Sequence, residues 1–373
     1  MRIIFTGYIN SSEFDDPGKW LHRIKAYIGI LESLSKYHQV ISIEQINYAG
    51  ELQKNNVQYY FLNYKKRRSF VPFRLHRFIK KLRPDIVVVH GLHVPFQILQ
   101  LRLQLHAGVK ILAQNHAEKP FHGFRKFVQK IADKCISAYI FTSVEMGNEW
   151  VTTDIISNKN KVWGIMEASS FFKPRDRQAA KQKTNVKGDP VFLFVGRLDK
   201  NKDPETVVKA FLQFNNNNEN ATLYIIYHTN DLLTEMKELL ERSENKDSVK
   251  FIGKVPHDEM EDWYNSADFI ISGSHYEGSG VSVCEAMGCG CIPVVTDILS
   301  FRKITGYGKC GLLYERGNVN ALLNVLLKTK HLNIHFERQK VLEQFDSDLS
   351  FDAIAKQLNE KIIAMQQDNQ KVS

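Results

Sequence analysis

The sequence lacks any long apolar run. None of its hydrophobic segments reaches the roughly 18 residues that a membrane-spanning helix needs. The first apolar segment ends before Gly7, too early for the core of a signal peptide, and we interpret it as a buried strand. We therefore expect a cytoplasmic protein. Its 373 residues, 43% hydrophobic and 24% charged, have the composition of an ordered globular protein and suffice for two domains.

Cysteine is scarce as well. The five cysteines are an odd number, and they show no repeated pair at the spacing of a zinc site. We interpret them as small buried residues of a protein from a reducing compartment. They are Cys135, Cys284, Cys289, Cys291 and Cys310.

Acidic residues are few in one half of the chain only. Residues 1–175 contain 26 Lys and Arg against 13 Asp and Glu, a net charge of +13, whereas residues 176–373 contain 24 against 28, a net charge of −4. A basic N-terminal half suggests an anionic partner, either a membrane surface or a phospholipid-linked acceptor. No nucleic-acid partner is expected, because no recognition module is visible.

Short apolar segments alternate with helical periodicity along most of the chain. This alternation predicts βαβ units and an α/β fold of two doubly wound (Rossmann-like) parallel-sheet domains that face a central cleft. Ligands bind such sheets at the carboxyl ends of the strands. The predicted strands are residues 3–6, 40–46, 57–62, 85–90, 110–114, 138–142, 161–166, 191–195, 221–227, 249–252, 268–271 and 292–295.

The composition changes at residues 173–190, where Pro174, Gly188 and Pro190 bracket a polar stretch. We predict a linker there, because domain boundaries fall in polar, proline- and glycine-rich segments. The predicted domains are residues 1–172 and 191–345. A last helical segment, 346–373, has no following strand and must pack against existing structure.

The most informative motif lies in residues 274–297 and contains two carboxylates, Glu277 and Glu285. Glu277 follows a predicted strand, and the bare backbone of Gly278, Ser279, Gly280 and Val281 opens the next helix. Such a helix start binds phosphate, while carboxylates accept hydrogen bonds from sugar hydroxyls. Glu285 is flanked by apolar residues, which argues against the alternative of a solvated helix face.

A second motif follows the first strand of the C-terminal half. Gly196 permits a tight turn, and Arg197 and Lys202 bracket the loop that leads to Pro204. Two cations at the carboxyl end of a strand suit a diphosphate, both bound and as a leaving group. The alternative is an ordinary solvated basic loop.

Three histidines follow strands of the N-terminal half. His116 is the preferred candidate for a ligand contact, and His90 and His93 are weaker ones at the same sheet edge. The segment 64–83 interleaves basic and aromatic residues, which suits an anionic membrane interface; the alternative is an ordinary solvated helix.

With these motifs the sequence resembles the family 4 retaining glycosyltransferases, which have the two-domain GT-B fold. Their hallmark is two glutamates separated by seven residues, then Ala-Met and a Gly-x-Pro-Val-Val strand. Here these are Glu277 and Glu285, residues 286–287, and residues 290–295. The loop with Arg197 and Lys202 is similar to the family's diphosphate loop.

The resemblance implies a role for each of these residues. The first glutamate contacts the transferred sugar, the second holds the ribose, and the Arg and Lys bind the diphosphate. His116 is the match for a histidine near the donor sugar, and Gly7 stands where the family often has a glycine pair near the donor phosphate. The last helix is expected to cross back onto the N-terminal domain.

We therefore expect a retaining hexosyltransferase that moves a sugar from a UDP- or GDP-sugar to a cell-surface glycan or lipid-linked acceptor, peripherally at the inner face of the plasma membrane. No Asp-x-Asp cluster lies near the motif, so neither a metal nor another cofactor is expected. The alternatives are a nucleotide-sugar epimerase or glycogen-type synthase, and a catalytically silent surface-binding module of the same fold.

Overall fold

The structure is a computed structural model, and it describes residues 1–64 and 71–370. Part of the basic segment 64–83 thus lies outside the described residues. The chain forms two compact units, one of residues 1–169 with 351–373 and the other of residues 170–350. No helix in the described part is both long and apolar enough to cross a membrane.

The first unit contains an eight-stranded sheet in the order β3-β4-β2-β1-β5-β6-β7-β8. All neighbours pair in parallel except β3 and β4, which are antiparallel. The antiparallel edge strand is exposed along its whole length and was not predicted from the sequence. The strands are β1 (Arg2–Thr6), β2 (Gln39–Gln45), β3 (Gly50–Lys54), β4 (Val57–Leu62), β5 (Ile86–His90), β6 (Lys110–Gln114), β7 (Ala138–Phe141) and β8 (Val162–Gly164).

Helices cover the faces of this sheet. They are α1 (Pro17–Arg23), α2 (Lys25–Leu34), α3 (Phe73–Lys81), α4 (Pro95–Gln104), α5 (Gly123–Asp133), α6 (Val144–Thr152) and, at the end of the chain, α15 (Phe351–Gln370). The final helix packs along α2, where Phe351 lies against Gly29; a Cβ at Gly29 would be 2.5 Å from that ring. This close approach explains how a helix without its own strand is accommodated.

The second unit contains a six-stranded parallel sheet in the order β11-β10-β9-β12-β13-β14. Its central strands are buried apolar runs, as expected for a sheet covered on both faces. The Phe192 and Phe269 rings stack across neighbouring strands, 4.9 Å between centroids. The strands are β9 (Val191–Val195), β10 (Thr222–Ile226), β11 (Val249–Gly253), β12 (Phe269–Ser272), β13 (Ile292–Thr296) and β14 (Leu312–Tyr314).

Eight α-helices belong to this unit within the described residues: α7 (Arg177–Thr184), α8 (Pro204–Asn215), α9 (Leu233–Glu241), α10 (Met260–Ser266), α11 (Val281–Gly288), α12 (Leu299–Ile304), α13 (Val319–Thr329) and α14 (Ile334–Gln344). The segment 173–190, predicted as a linker, contains α7, which packs against α10. Its Arg177 forms an ion pair with Asp268 beside β12. Much of that segment is therefore an integral part of the second unit.

Candidate functional site

The strand order of the second sheet creates a switch point between β9 and β12. The chain proceeds from β9 to β10 and β11 on one side, and β12 to β14 continue on the other. In open α/β sheets, the loops that follow the two strands at such a point run over opposite faces, and ligands bind in the crevice that they form. These loops are residues 196–203 and 273–280.

Buried hydrogen bonds hold the loop 273–280 in place. Ser274 Oγ lies 3.0 Å from Ser272 Oγ, and Thr296 on β13 donates to the Ser274 carbonyl at 2.6 Å. Tyr314 on β14 donates to the Ser272 carbonyl at 3.0 Å. Since Ser274 and Thr296 are fully buried, these bonds exchange little with water, and the loop starts from a rigid base.

The two predicted motifs meet at Glu277. Lys202 Nζ forms an ion pair with Glu277 Oε1, which also accepts a 2.6 Å hydrogen bond from Ser274 Oγ. The side chains of Lys202 and Glu277 are mostly buried. Glu277 lies in the loop, before α11 begins.

Further contacts tie the loops together. Asn201 Nδ2 donates to the Tyr276 carbonyl at 3.0 Å, and the His275 ring lies 3.1 Å from an Asp203 carboxylate oxygen. A Cβ at Gly273 would lie 2.7 Å from the Asp203 carbonyl, so only glycine permits this approach. Gly273 was missed in the sequence, although a glycine directly after an apolar strand is a recognisable signal.

Arg197 occupies the outer part of the site. Its guanidinium Nε lies 3.1 Å from Asp199 Oδ2, and about half of its side chain is exposed. The Asp199 carboxylate also accepts a hydrogen bond from the Lys202 amide at 2.9 Å. At the start of this loop, a Cβ at Gly196 would come within 3.4 Å of the Lys202 side chain. The loop thus presents one half-exposed cation, Arg197, and one largely buried cation, Lys202.

Glu285 is buried on α11, only 6% exposed, so the solvated-face alternative is wrong. His257 Nε2 lies 2.7 Å from its Oε1, and the Tyr264 hydroxyl donates to its Oε2 at 2.9 Å. Burial and the Glu285 charge raise the pKa of Tyr264 well above its ordinary value, which keeps the hydroxyl a donor. The Phe172 ring lies against His257, with 5.1 Å between centroids.

Sequence reasoning missed His257 and Tyr264. They lie 28 and 21 positions before Glu285, on the turn after β11 and on α10. Only the packing of α10 against α11 brings them to the carboxylate, and no local motif indicates this.

The predicted phosphate-binding residues lie at the start of α11. Gly280 precedes the helix with φ of +58°, and Gly278, Ser279 and Val281 surround it. A Cβ at Gly280 would lie 2.7 Å from Phe301 Cε1, so both the backbone and the packing require glycine. The start of the helix is therefore held at a definite position, with amides that favour negative charge.

Gly7 and His116 belong to the first unit. Gly7 follows β1, and its carbonyl accepts a 2.6 Å hydrogen bond from Gln45. His116 follows β6; its Nδ1 pairs with Glu167 and its Nε2 lies 3.1 Å from His90 Nδ1. His90 Nε2 in turn lies 2.9 Å from the Tyr27 hydroxyl. The side chains of Tyr27, His90, His116 and Glu167 form a row of polar contacts at the carboxyl edge of the sheet, at and beside its switch point between β1 and β5.

The pKa values of His90 and His116 are shifted in opposite directions from the ordinary histidine pKa. Burial, together with the nearby His116, lowers the pKa of His90 to about 3. Burial also acts to lower the pKa of His116, but the hydrogen bond and charge of Glu167 outweigh it and raise the pKa above its usual value. The structure therefore favours a neutral His90 beside a His116 that holds its proton.

His93 contacts Glu118 and does not join this row of polar contacts. Its Nδ1 lies 3.1 Å from Glu118 Oε1, and the other carboxylate oxygen accepts a 2.6 Å bond from the His116 amide. Burial acts to raise the pKa of Glu118, but its bonds to His93 and to the His116 amide lower it overall. Glu118 thus joins the loops after β5 and β6, which sequence reasoning did not anticipate.

No group of three or more His, Cys, Asp or Glu side chains in residues 1–64 and 71–370 is placed to hold a metal ion.

Residues 176–344 match the family model described as Glycosyl transferases group 1. Alpha-monoglucosyldiacylglycerol synthase of Streptococcus pneumoniae is 25% identical over 185 residues, 48% of this chain and 42% of the relative. The phosphatidylinositol N-acetylglucosaminyltransferase GPI3 subunit of Saccharomyces cerevisiae is 21% identical over 226 residues, 58% of this chain and 49% of the relative. The chain thus spans less than half the length of these relatives. The matches support a relationship of the second unit to group 1 glycosyltransferases.

Solved structures match over nearly the whole chain. A glycosyltransferase from Rickettsia africae superposes with a TM-score of 0.75 at 15% identity, covering 98% of both chains. The Anabaena protein HepE, solved with UDP and glucose, gives 0.70 at 14% identity, covering 98% of this chain and 100% of that one. At these identities the likeness shows the fold alone. The predicted α/β fold of two Rossmann-like parallel-sheet domains, of the GT-B type, is confirmed.

Proposed function

We propose that this protein is a retaining family 4 glycosyltransferase that transfers a hexose unit from a nucleoside-diphosphate sugar to a glycan or lipid-linked acceptor. The observation that carries this proposal is the meeting of Lys202 and Glu277 at the switch point of the second sheet. Buried hydrogen bonds and a glycine-only approach hold both loops there, so the cation and the carboxylate are preorganised.

In the proposed complex the diphosphate lies between the cations and the start of α11. Arg197 is half exposed and turns toward an anion at little cost. Lys202, anchored by Glu277, needs no rearrangement. Both cations stabilise the leaving diphosphate more than the bound donor, which is the condition for faster chemistry. Their charge balances the diphosphate, and we propose that no divalent ion takes part.

Glu277 and Glu285 bind the two sugars of the donor. Glu277 Oε2 has no bond to Lys202 or Ser274 and is available to hydroxyls of the transferred sugar. Each oxygen of Glu285 has one partner, and a carboxylate offers about four acceptor positions. Glu285 therefore has acceptor positions left for the two hydroxyls of the ribose, while Tyr264 and His257 fix the orientation of the carboxylate.

We propose a front-face displacement. The acceptor oxygen forms its bond to the anomeric carbon on the side from which the diphosphate oxygen departs, and the acceptor proton passes to that diphosphate oxygen. No enzyme side chain is then needed as a nucleophile, and the configuration at the anomeric carbon is retained.

For the first unit we propose acceptor binding at the carboxyl edge of its sheet. His116 is held by Glu167 at Nδ1, and an oxygen of the ligand replaces the neutral His90 as the acceptor of the Nε2 proton. Two relatives carry diacylglycerol or phosphatidylinositol in their names, which supports a lipid-linked acceptor. Such an acceptor requires contact with a membrane surface.

The donor is tested by thermal shift with UDP-, GDP- and ADP-sugars, since a ligand that binds the folded state alone raises the melting temperature. Release of free sugar and transfer are then measured with the best donor. Glu277→Gln removes the charge that anchors Lys202, and we expect a loss of at least about 100-fold in turnover. Glu205→Gln, which breaks an exposed pair with Lys209, is the matched control and leaves turnover unchanged.

Unchanged transfer in Glu277→Gln would refute the assigned role. Interconversion of the donor without any transfer would instead identify an epimerase. No nucleotide-sugar binding at all would favour the catalytically silent module. Activity that persists after dialysis against EDTA is expected, and its loss would overturn the metal-free mechanism.

A further inference from the structure

Helix α5 presents an apolar face to solvent. Phe124, Phe127 and Ile131 are 71%, 58% and 37% exposed. Their spacing of three and four residues places them on one side of the helix. The rings of Phe124 and Phe127 adjoin, with 6.4 Å between centroids, and Phe96 on α4 lies at the same distance from Phe124. We call Phe124, Phe127 and Ile131 the α5 face.

This face cannot turn inward, because the opposite side of the helix is already packed. Val128 and Ala132 are buried in the unit, and Gln129 donates a 3.1 Å hydrogen bond to the Leu92 carbonyl. The helix is thus anchored, and two phenylalanines remain in water. Large exposed apolar groups that adjoin one another mark interaction sites more often than isolated ones do.

A row of lysines flanks the α5 face. Lys126, Lys130 and Lys134 follow one another at four-residue intervals, along the side of the helix next to Phe127. Lys130 pairs with Asp154, and Arg125 lies 5.6 Å from the Phe121 ring centre. Aromatic groups on one side and lysines on the next are the pattern of a helix that lies in a membrane interface.

We propose that the α5 face docks on an anionic lipid bilayer, with Phe124, Phe127 and Ile131 among the acyl chains and the lysines at the headgroups. A second copy of this chain fits less well. The three side chains expose on the order of 300 Å², whereas a stable protein interface removes about 800 Å² per partner. Two such faces would also bring their lysine rows together, while anionic headgroups complement them.

This inference rests on the proposed function only in its choice of a lipid-bearing partner. It places the membrane contact on α5 rather than on the basic segment 64–83. Within that segment, α3 turns Leu75, His76 and Ile79 into the core, and Phe73 is its exposed aromatic residue.

The test is sedimentation of the full chain with vesicles of phosphatidylcholine alone or mixed with phosphatidylglycerol. We expect binding to the mixed vesicles and much weaker binding to the neutral ones. Phe124→Ser with Phe127→Ser lowers the affinity at least about tenfold, because two aromatic side chains no longer enter the bilayer. Lys126→Glu with Lys134→Glu lowers it by more than about fivefold per residue and removes most of the salt dependence.

Phe336→Ser is the matched control, since Phe336 is 53% exposed and lies 4.5 Å from Lys340 Nζ in the other unit, and binding stays at the wild-type level. Equal binding of the Phe124/Phe127 variant would overturn the proposal, as would equal binding to neutral vesicles. A change from dimer to monomer in that variant would also overturn it and assign the face to a second copy. Donor hydrolysis without vesicles is measured for every variant, so a failed docking surface and a failed glycosyltransferase assignment give different results.

Discussion

The hydrogen bond from Tyr264 to Glu285 offers a sharp test of the site in the second unit. Tyr264 is fully buried and its hydroxyl donates to Glu285 Oε2 at 2.9 Å. Tyr264→Phe removes one oxygen and leaves the ring packed against Phe172, so the change creates almost no cavity. What it removes is one of the two partners that satisfy a buried carboxylate.

The magnitude follows from the charge of the acceptor. Hydrogen bonds to charged groups contribute about 1.5–3 kcal/mol, whereas neutral ones contribute about 1 kcal/mol. We therefore expect Tyr264→Phe to destabilise the second unit by about 2 kcal/mol, a drop of roughly 4–8 °C in melting temperature for a unit of this size. With Glu285→Gln as background, the acceptor is neutral and the same change costs only about 1 kcal/mol.

A double-mutant cycle measures this difference. Urea unfolding is followed by fluorine NMR of fluorotryptophan-labelled protein, because Trp263 lies in the second unit and the other three tryptophans lie in the first. The expected coupling energy is about 1 kcal/mol. Tyr139→Phe is the matched control: its buried hydroxyl donates to Asp133 at 3.1 Å in the first unit, so its effect adds to that of Glu285→Gln without coupling.

Zero coupling between Tyr264 and Glu285 would refute the reasoning. It would mean that the carboxylate does not depend on this donor, and that its orientation for a ribose is set by other contacts. Coupling of the same size for Tyr139 would show that the cycle reports global stability instead.

Two further predictions concern the start of α11 and the titration of the first unit. Gly280→Ala places a Cβ against Phe301 at positive φ, and its control is Gly253→Ala, which is also at positive φ but has no atom within 4 Å. We expect Gly280→Ala to lower the free energy of unfolding by about 1–3 kcal/mol more than Gly253→Ala does, and to weaken donor binding. Equal melting temperatures of the two variants would contradict the packing argument. Because the pKa of His90 is lowered, its contribution to stability is present above the ordinary histidine pKa and is lost as the pH falls toward about 3. Because the pKa of His116 is raised, its contribution is present below the ordinary histidine pKa and is lost as the pH rises through the folded-state pKa. We therefore expect His90→Gln to flatten the acidic limb of stability against pH and His116→Gln the alkaline limb, as measured by urea unfolding across pH 4–9, and the reverse assignment would show that the two environments are exchanged.

The parallel-sheet fold and the two central motifs were predictable because each depends on neighbours in sequence. Strands such as β9 are continuous apolar runs, and the loops with Lys202 and Glu277 directly follow strands. The exposed antiparallel strand β3 was not predictable in this way, since Gly50–Lys54 contains one large apolar residue, Leu52, and nothing local to pair it with β4. Helix α7 was hidden by the polar composition of the segment 173–190.

The difference between what the sequence determines and what the tertiary structure determines is clearest around Glu277 and Glu285. The sequence alone determined the fold class, the positions of both carboxylates and the glycines that shape the helix start, because backbone conformation and apolar periodicity are local properties. Tertiary structure decided which groups face these carboxylates: Lys202 at Glu277, and His257 and Tyr264 at Glu285. It also decided that the α5 face stays in water. Burial and pairing are properties of packed surfaces, and residues far apart in the chain reach one another only when the sheet and its helices have assembled.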